Sequence, residues 1–193
     1  MSRDILLANL RVYQPWNEQE SFDRDEIIRQ IEFCPDIFTR ENRSAHMSAS
    51  SWIVNRERTK VLMVYHNIYQ SWSWTGGHAD GETDLLSVAL REAREETGIQ
   101  HVHALSPDIF SLEILTVDGH EKRGQYVSFH LHLNLTYLLE ADESDPLIKN
   151  EAENSAVGWF PLEEALTTCR ESWMRDRIYR KLNQKLAAFG VLF

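Results

Sequence analysis

The 193-residue sequence predicts one α/β domain of the α+β type, in which helices pack on the faces of a mixed β-sheet. Segments rich in β-branched and aromatic residues mix with amphipathic segments, without the regular alternation of a parallel doubly wound sheet. A chain of this length fits one ordinary domain with a real apolar core. We therefore expect a single domain over residues 1–193, with residues 1–45 as an N-terminal helical extension.

The first strongly patterned segment, residues 21–33, predicts a short amphipathic helix. It begins at Ser21, a residue type that caps helices, and it ends before Pro35. Residues 49–54 and 61–65 are rich in strand-forming residues, and the polar stretch between them is typical of a hairpin loop. A β-sheet is therefore expected to begin here.

Residues 126–139 alternate between apolar and polar side chains, which predicts one long strand with a single buried face. The apolar positions are Val127, Phe129, Leu131, Leu133, Leu135 and Tyr137. The opposite positions, which either line a cleft or meet solvent, are Ser128, His130, His132, Asn134 and Thr136.

Further elements are predicted on either side of this strand. Residues 110–117 and 156–160 predict strands, and Pro161 is expected to open a helix. A final helix over residues 173–189 presents an apolar stripe of Ile178, Leu182 and Leu186.

The functional signal lies in residues 77–99, where Glu92, Glu95 and Glu96 follow the glycine pair Gly76 and Gly77. Residues three and four apart share one face of a helix, so these carboxylates project in nearly the same direction and repel one another. A hard cation such as Mg²⁺ takes oxygen ligands and often bridges carboxylates to substrate phosphates. The spacing therefore predicts a divalent-cation site on a helix that begins near Thr83 or Asp84.

The same segment resembles the signature of the Nudix hydrolase superfamily, G-x5-E-x7-R-E-U-x-E-E-x-G-U, where U is a bulky apolar residue. The matching positions are Gly77, Arg91, Glu92, Glu95, Glu96, Gly98 and Ile99. Two positions depart from the signature, because Ala93 is small and Thr83 stands where the first glutamate belongs. The resemblance implies a Nudix-like α/β/α sandwich with a mixed β-sheet. It also implies that the glutamates of this segment, residues 77–99 (the box), face a substrate diphosphate.

The resemblance also implies that Glu92, Glu95 and Glu96 hold Mg²⁺, with Mn²⁺ as the alternative metal. Arg91 is expected to support this site by pairing with a box carboxylate such as Glu95, one turn along the helix.

The glycine pair and the general base complete the predicted site. Gly76 and Gly77 are expected to shape the loop at the helix entry, because glycine adopts backbone conformations that side chains exclude. In this family the base comes from the box or from a distant loop. Glu153 is the candidate in such a loop, and Glu151 is its nearest rival. For each of them a solvated loop charge is the competing interpretation.

Several histidines admit a functional and a structural interpretation. His78 follows the glycine pair and either touches phosphate or metal or is an ordinary loop histidine. His130 and His132 share a strand face, but two histidines two residues apart are an incomplete metal site.

The predicted function is Mg²⁺-dependent hydrolysis of a diphosphate linkage in a nucleoside diphosphate that is joined to another moiety. Two alternatives stay open. A prenyl-diphosphate isomerase-like enzyme shares the superfamily scaffold and is expected to place a cysteine and an acid around an alkene. A non-catalytic nucleotide-binding module is suggested by Thr83 at the position of a family glutamate.

Composition narrows the expected partners and compartment. The formal net charge of -10 disfavours a nucleic-acid partner. No segment has the apolar length needed to cross a membrane, and the N-terminal apolar run is too short for a secretory signal, so a cytoplasmic protein is expected. Cys34 and Cys169 predict two free thiols. A small-molecule substrate is expected, and a homodimer stays open.

Overall fold

The computed structural model describes residues 1–122 and 124–190, which form two compact units. The first unit comprises Met1–Ser50, Gly76–Val88 and Asp108–Tyr137. The second unit comprises Ser51–Thr75, Ala89–Pro107 and the described part of Leu138–Phe193. Within the described ranges, no helix is both long enough and apolar enough to cross a membrane.

Two helices begin the first unit. Helix α1, Arg3–Val12, is capped by the Ser2 hydroxyl, which accepts a hydrogen bond from the backbone N–H of Ile5. Helix α2, Glu18–Phe33, begins before the predicted start at Ser21. The reason is that the Asn17 side chain caps it, accepting a hydrogen bond from the N–H of Glu20 at 3.0 Å.

The strands are β1 Ala45–Val54, β2 Lys60–His66, β3 Ser71–Ser73, β4 Thr75–His78, β5 Val102–Ala104, β6 Ser111–Val117, β7 His120–Lys122, β8 Gln125–Val127, β9 His130–Ala141 and β10 Asn154–Pro161. The main sheet has the strand order β10-β2-β1-β9-β5, while β3 pairs with β2, β4 with β1 and β6 with β9. Strands β7 and β8 pair as a separate antiparallel hairpin. This sheet, combined with helices, confirms the predicted α/β class.

The second unit contains the C-terminal helices. Helix α4, Leu162–Thr168, begins directly after Pro161, as the sequence predicts. A π-helical segment, Met174–Tyr179, continues into helix α5, Arg180–Ala188. The predicted stripe of Ile178, Leu182 and Leu186 is buried. The π-helical segment and α5 therefore pack through the face that their sequence pattern indicates.

The long strand predicted over residues 126–139 is wrong in two respects. The chain leaves the strand between β8 and β9, and Phe129, predicted to be buried, is 56% exposed. Leu133, Leu135 and Tyr137 are buried as expected, but the polar face of β9 is buried too. The alternation therefore identifies the buried apolar face only over Leu133, Leu135 and Tyr137, because Val127 and Leu131 are only partly buried.

The buried polar face of β9 is stabilised by side-chain hydrogen bonds within the first unit. Asn134 Oδ1 accepts hydrogen bonds from the Ser48 hydroxyl at 3.1 Å and the Ser50 hydroxyl at 2.9 Å. Asn134 Nδ2 and the Thr136 hydroxyl both donate to Glu113, at 3.2 and 2.9 Å. Because buried polar groups are tolerated when they are paired, this network removes the usual cost of burial.

Helix α3, Leu85–Thr97, is the predicted box helix, and it ends where the sequence predicts. Gly98 has a φ of +76° and donates its N–H to the carbonyl of Arg94 at 2.8 Å, the usual glycine termination of a helix.

A surface pair in the second unit gives a pH-dependent contribution to stability. Asp145 Oδ1 lies 2.8 Å from His101 Nδ1, and Asp145 Oδ2 accepts a hydrogen bond from the N–H of His101 at 2.7 Å. The pKa of Asp145 falls from 3.8 to about 2, chiefly through the His101 side chain. The pKa of His101 rises above 6.5, chiefly through the Asp145 carboxylate.

The two shifts define a pH window. The Asp145 contribution is present above pH 3.8 and is lost as the pH falls toward about 2. The His101 contribution is present below pH 6.5 and is lost as the pH rises through its raised pKa. We therefore expect a His101→Asn variant to lose most thermal stability, relative to the parent, near about pH 5. A difference in Tm between parent and variant that stays constant from pH 4 to 8 contradicts this expectation. As a control, when Asp145→Asn is already present, the effect of His101→Asn on Tm should no longer depend on pH.

Candidate metal and active site

The C-terminal half of α3 arranges three carboxylates along one helix while its other side packs inward. Ala89 and Ala93 are fully buried. The acids differ in exposure: Glu96 is 4% exposed as a residue, whereas the side chains of Glu92 and Glu95 are 14% and 58% exposed. The stripe therefore grades from a solvent-exposed carboxylate to a buried one.

Asn154 holds the buried end of this stripe. It is 1% exposed, is the first residue of β10, and donates from Nδ2 to Glu96 Oε2 at 3.0 Å. Its other amide atom, Oδ1, is buried and has no hydrogen-bond partner among the described residues. A buried acceptor without a partner is costly, so this oxygen is suited to face a cation or a water bound to one.

Arg91 spans two of the carboxylates. Its Nη2 lies 2.8 Å from Glu92 Oε1, and its Nε lies 3.9 Å from Glu95 Oε1. The sequence pointed to Glu95, one helical turn along, but the shorter contact is to the adjacent Glu92. The guanidinium thus orients the less exposed of the two acids.

The electrostatics at Glu92 favour a bound cation. Burial raises the pKa of Glu92, and the carboxylates of Glu95 and Glu153 raise it further, although the hydrogen bond from Arg91 opposes them. A carboxyl group held toward protonation by its neighbours is relieved when a positive ion binds between them. This is the repulsion that the sequence spacing implies.

The loop before β10 brings Glu153 into electrostatic contact with Glu92. Its backbone is fixed, because the Glu153 N–H donates to the carbonyl of Asn150 and the Glu153 carbonyl accepts from Asn67, both at 3.0 Å. The rival Glu151 has a side chain that is 82% exposed and lies 3.5 Å from Lys149 Nζ. Of the two acids, Glu153 is the one whose charge acts on the carboxylate stripe.

The second unit thus holds Arg91, the three box glutamates and Glu153, whereas Gly76 and Gly77 belong to the first unit. Both glycines lie in β4. At Gly76 the backbone is not left-handed. A Cβ there would lie 2.5 Å from Ser50 Oγ and 2.7 Å from the Ala49 carbonyl. The requirement at Gly76 is therefore close approach to β1, rather than the unusual backbone conformation that was expected.

Two further positions refine the sequence interpretation. Thr83, at the place of a family glutamate, donates its hydroxyl to the carbonyl of Met1 within the first unit. Asn154 was not singled out from the sequence, although it is a polar residue at the boundary between an acidic loop and an apolar strand. The place of Asn154 at this boundary was the one feature of the sequence that could have pointed to it.

Comparison with known sequences gives a consistent result. The sequence model of the NUDIX domain matches residues 45–182. The bis(5'-nucleosyl)-tetraphosphatase (asymmetrical) of Mus musculus is 33% identical over 96 residues, which is 49% of this chain and 58% of that protein. The Sus scrofa protein of the same name is 28% identical over 118 residues, or 60% of this chain and 71% of that protein. The alignment thus spans 58% of the length of the mouse relative.

Solved structures are similar in fold. A binary complex of a C. elegans Ap4A hydrolase superposes with a TM-score of 0.55 at 21% identity, covering 76% of this chain and 98% of that chain. The Nudix hydrolase RenU from M. smegmatis superposes with a TM-score of 0.53 at 13% identity, covering 75% and 87% of the two chains. These similarities confirm the predicted Nudix-like α/β/α fold with a mixed sheet.

Proposed function

Because the chain belongs to the NUDIX domain family, we propose that it is a Mg²⁺-dependent hydrolase that cleaves a diphosphate linkage in a nucleoside diphosphate joined to another moiety. The observation that carries the proposal is the carboxylate stripe of Glu92, Glu95 and Glu96, whose buried end is held by Asn154. Mn²⁺, which also takes oxygen ligands, is the expected substitute metal.

The donor set fits a hard divalent cation. The three carboxylates supply oxygen ligands, and the unpartnered Oδ1 of Asn154 adds a neutral oxygen beside Glu96. When bound, such a cation polarises a phosphoryl oxygen and lowers the pKa of a bound water. These residues match the chemistry that hydrolysis of an acid anhydride needs.

The remaining side chains are assigned supporting roles. Glu153 is the proposed general base, since its carboxylate acts on Glu92 and its backbone is fixed by two hydrogen bonds. Arg91 positions Glu92 through the contact at 2.8 Å. Gly76 and Gly77 remain the predicted cofactor-binding positions, which are proposed to shape the backbone that leads to the box helix.

The substrate is proposed to be a small molecule rather than a nucleic acid, given the net charge of -10. The mouse and pig relatives are bis(5'-nucleosyl)-tetraphosphatases, so dinucleoside polyphosphates are the first class to try. A cytoplasmic location agrees with two free cysteines, and a homodimer is retained as the proposed assembly to be measured.

The proposal is tested by a turnover screen with the purified chain. Dinucleoside polyphosphates, nucleotide sugars, ADP-ribose and nucleoside triphosphates are each incubated with Mg²⁺, with Mn²⁺ and with chelator, and products are separated by ion-exchange chromatography. We expect phosphate-containing products from at least one diphosphate substrate, and only with metal. Absence of product across the panel overturns the proposal, and tight nucleotide binding without Mg²⁺ dependence would then favour the binding module.

The isomerase alternative gains no support from the cysteine in the second unit. The Cys169 thiol accepts a hydrogen bond from the Ser71 hydroxyl at 3.8 Å and donates to the Glu171 carbonyl at 3.6 Å. Neither hydrogen bond is with a carboxylate, and burial, together with the charge of Glu171, raises the pKa of the thiol. This environment suits a packed thiol rather than one poised for proton transfer.

A further inference from the structure

Four histidine side chains converge in the first unit. They are His46 on β1, His78 on β4, and His130 and His132 on β9. One ring nitrogen of each lies within 4.8 Å of the corresponding nitrogen of every other. Two of the four histidines, His46 and His130, are buried, with 4% and 5% exposure.

We propose that these four imidazoles bind one Zn²⁺ ion, in a structural site that ties strands β1, β4 and β9 together. The site shares no ligand with the carboxylates proposed to hold Mg²⁺. It also does not depend on the proposed hydrolase activity.

The hydrogen bonds of two rings already present the correct nitrogens. His46 Nδ1 lies 3.0 Å from the carbonyl of Asn42, and His130 Nδ1 lies 2.8 Å from the carbonyl of Ser128. A carbonyl only accepts, so each Nδ1 carries the proton, and each neutral ring keeps a lone pair on Nε2. Histidines that bind metals are usually oriented in this way, by a hydrogen bond from the other ring nitrogen.

The second observation is an unsatisfied atom. His46 Nε2 is buried without a hydrogen-bond partner among the described residues. A buried nitrogen lone pair without a donor costs free energy, unless a ligand occupies the position that it faces. The other three rings surround His46, since its centroid lies 5.0, 4.8 and 5.1 Å from those of His78, His130 and His132.

The distances suit a tetrahedral ion. His130 Nε2 lies 3.2 Å from His132 Nε2. Zn–N bonds of about 2.0–2.1 Å place the corners of a tetrahedron about 3.3 Å apart. Pairs of the cluster that lie up to 4.8 Å apart must contract when the ion binds.

The donor chemistry selects the metal class. All four members of the cluster are imidazoles, which suit zinc and its neighbours better than Mg²⁺ or Ca²⁺. Burial lowers the pKa of His46 and, together with the adjacent histidines, lowers that of His132 to about 2. For these two rings the shift favours the neutral imidazole, which is the form that binds metal. Four protein ligands leave no open position, as in structural zinc sites.

The test begins with the whole wild-type chain, stripped by chelator and dialysed. We expect elemental analysis and titration calorimetry to give one tightly bound Zn²⁺ per chain, with a rise in Tm of roughly 5–10 °C. Millimolar Mg²⁺ should not replace it. Co²⁺ should give the intense visible absorption of a tetrahedral nitrogen site. A chain that binds no Zn²⁺, or whose Co²⁺ spectrum is octahedral, overturns the proposal.

Variants then locate the site. His130→Gln and His46→Gln should each weaken Zn²⁺ binding by about 100-fold or more. His103→Gln, an exposed histidine outside the cluster, is the matched control and should bind like wild type. The double variant Glu95→Gln/Glu96→Gln should also keep the Zn²⁺ and its Co²⁺ spectrum. Loss of zinc in this double variant but not in the histidine variants would assign the ion to the carboxylates and overturn the proposal.

Discussion

Replacing Glu96 with glutamine is expected to lower kcat/KM by about 100- to 1,000-fold while leaving the fold intact, a loss typical of removing one charged transition-state contact. Glu96 is the least exposed of the three acids and accepts a hydrogen bond from Asn154 Nδ2 at 3.0 Å. A glutamine oxygen accepts the same bond, so packing is retained while the negative charge is lost. The measurement is steady-state kinetics on the substrate found in the screen, together with thermal unfolding.

Glu95→Gln is the companion variant. The Glu95 side chain is 58% exposed and only loosely paired with Arg91, at 3.9 Å, so its substitution should leave stability unchanged. We expect a large loss of activity and a higher Mg²⁺ concentration at half-maximal rate. Glu163→Gln, an exposed acid in the first turn of α4, is the control and should match wild type. Unchanged rates in both Glu95→Gln and Glu96→Gln would mean that the box is not the active site.

The carboxylate stripe could be predicted because it is local. Helical periodicity fixes the relative directions of Glu92, Glu95 and Glu96 without knowledge of the tertiary fold, and the helix ends at Gly98 as expected. The contact of Arg91 with Glu95 was anticipated for the same reason, whereas the shorter contact with Glu92 was not. Sequence spacing is sufficient where every partner lies within two helical turns.

Asn154 and His46 show where sequence information ends. Each acts through a residue far along the chain: Asn154 meets Glu96, and His46 meets His130 and His132. His78, His130 and His132 were each visible as candidates, but His46 was not, and the meeting of β1, β4 and β9 depends on sheet pairing. A single sequence contains no local signal for such pairing.

For a related reason, the sequence left open whether the polar face of β9 lines a cleft or meets solvent, and its burial could not be predicted. Alternation measures the polarity of side chains, and a polar face is expected to meet solvent unless partners are supplied. Here the hydrogen-bond partners of Asn134 come from neighbouring strands. They are Ser48 and Ser50 on β1 and Glu113 on β6. Burial on both faces thus follows from residues outside the strand.

Gly98→Ala is expected to destabilise the chain by about 3 kcal/mol, which lowers Tm by roughly 6–12 °C. The backbone at Gly98 has a φ of +76°, where an alanine is strained. A Cβ built there would also lie 2.7 Å from Ile148 Cβ and 2.9 Å from Ile148 N. The collision is with backbone as well as side chain, so a change of rotamer does not relieve it.

The same substitution should lower activity as well. Ile148 donates its N–H to the carbonyl of Thr97 at 2.8 Å, which ties the loop leading to Glu153 and Asn154 to the end of α3. Displacing Ile148 is therefore expected to move the proposed base and the amide that holds Glu96. The readouts are thermal unfolding and kcat measured well below the lowered Tm.

Gly81→Ala separates backbone strain from collision. Gly81 has a φ of +93°, but a Cβ there would meet nothing within 4 Å. Its substitution should cost only the strain, about 1 kcal/mol. The excess loss at Gly98 then measures the contact with Ile148. Equal losses of stability at the two glycines would show that the loop containing Ile148 moves without cost to admit the added methyl group. The fall in activity expected for Gly98→Ala should then be absent as well.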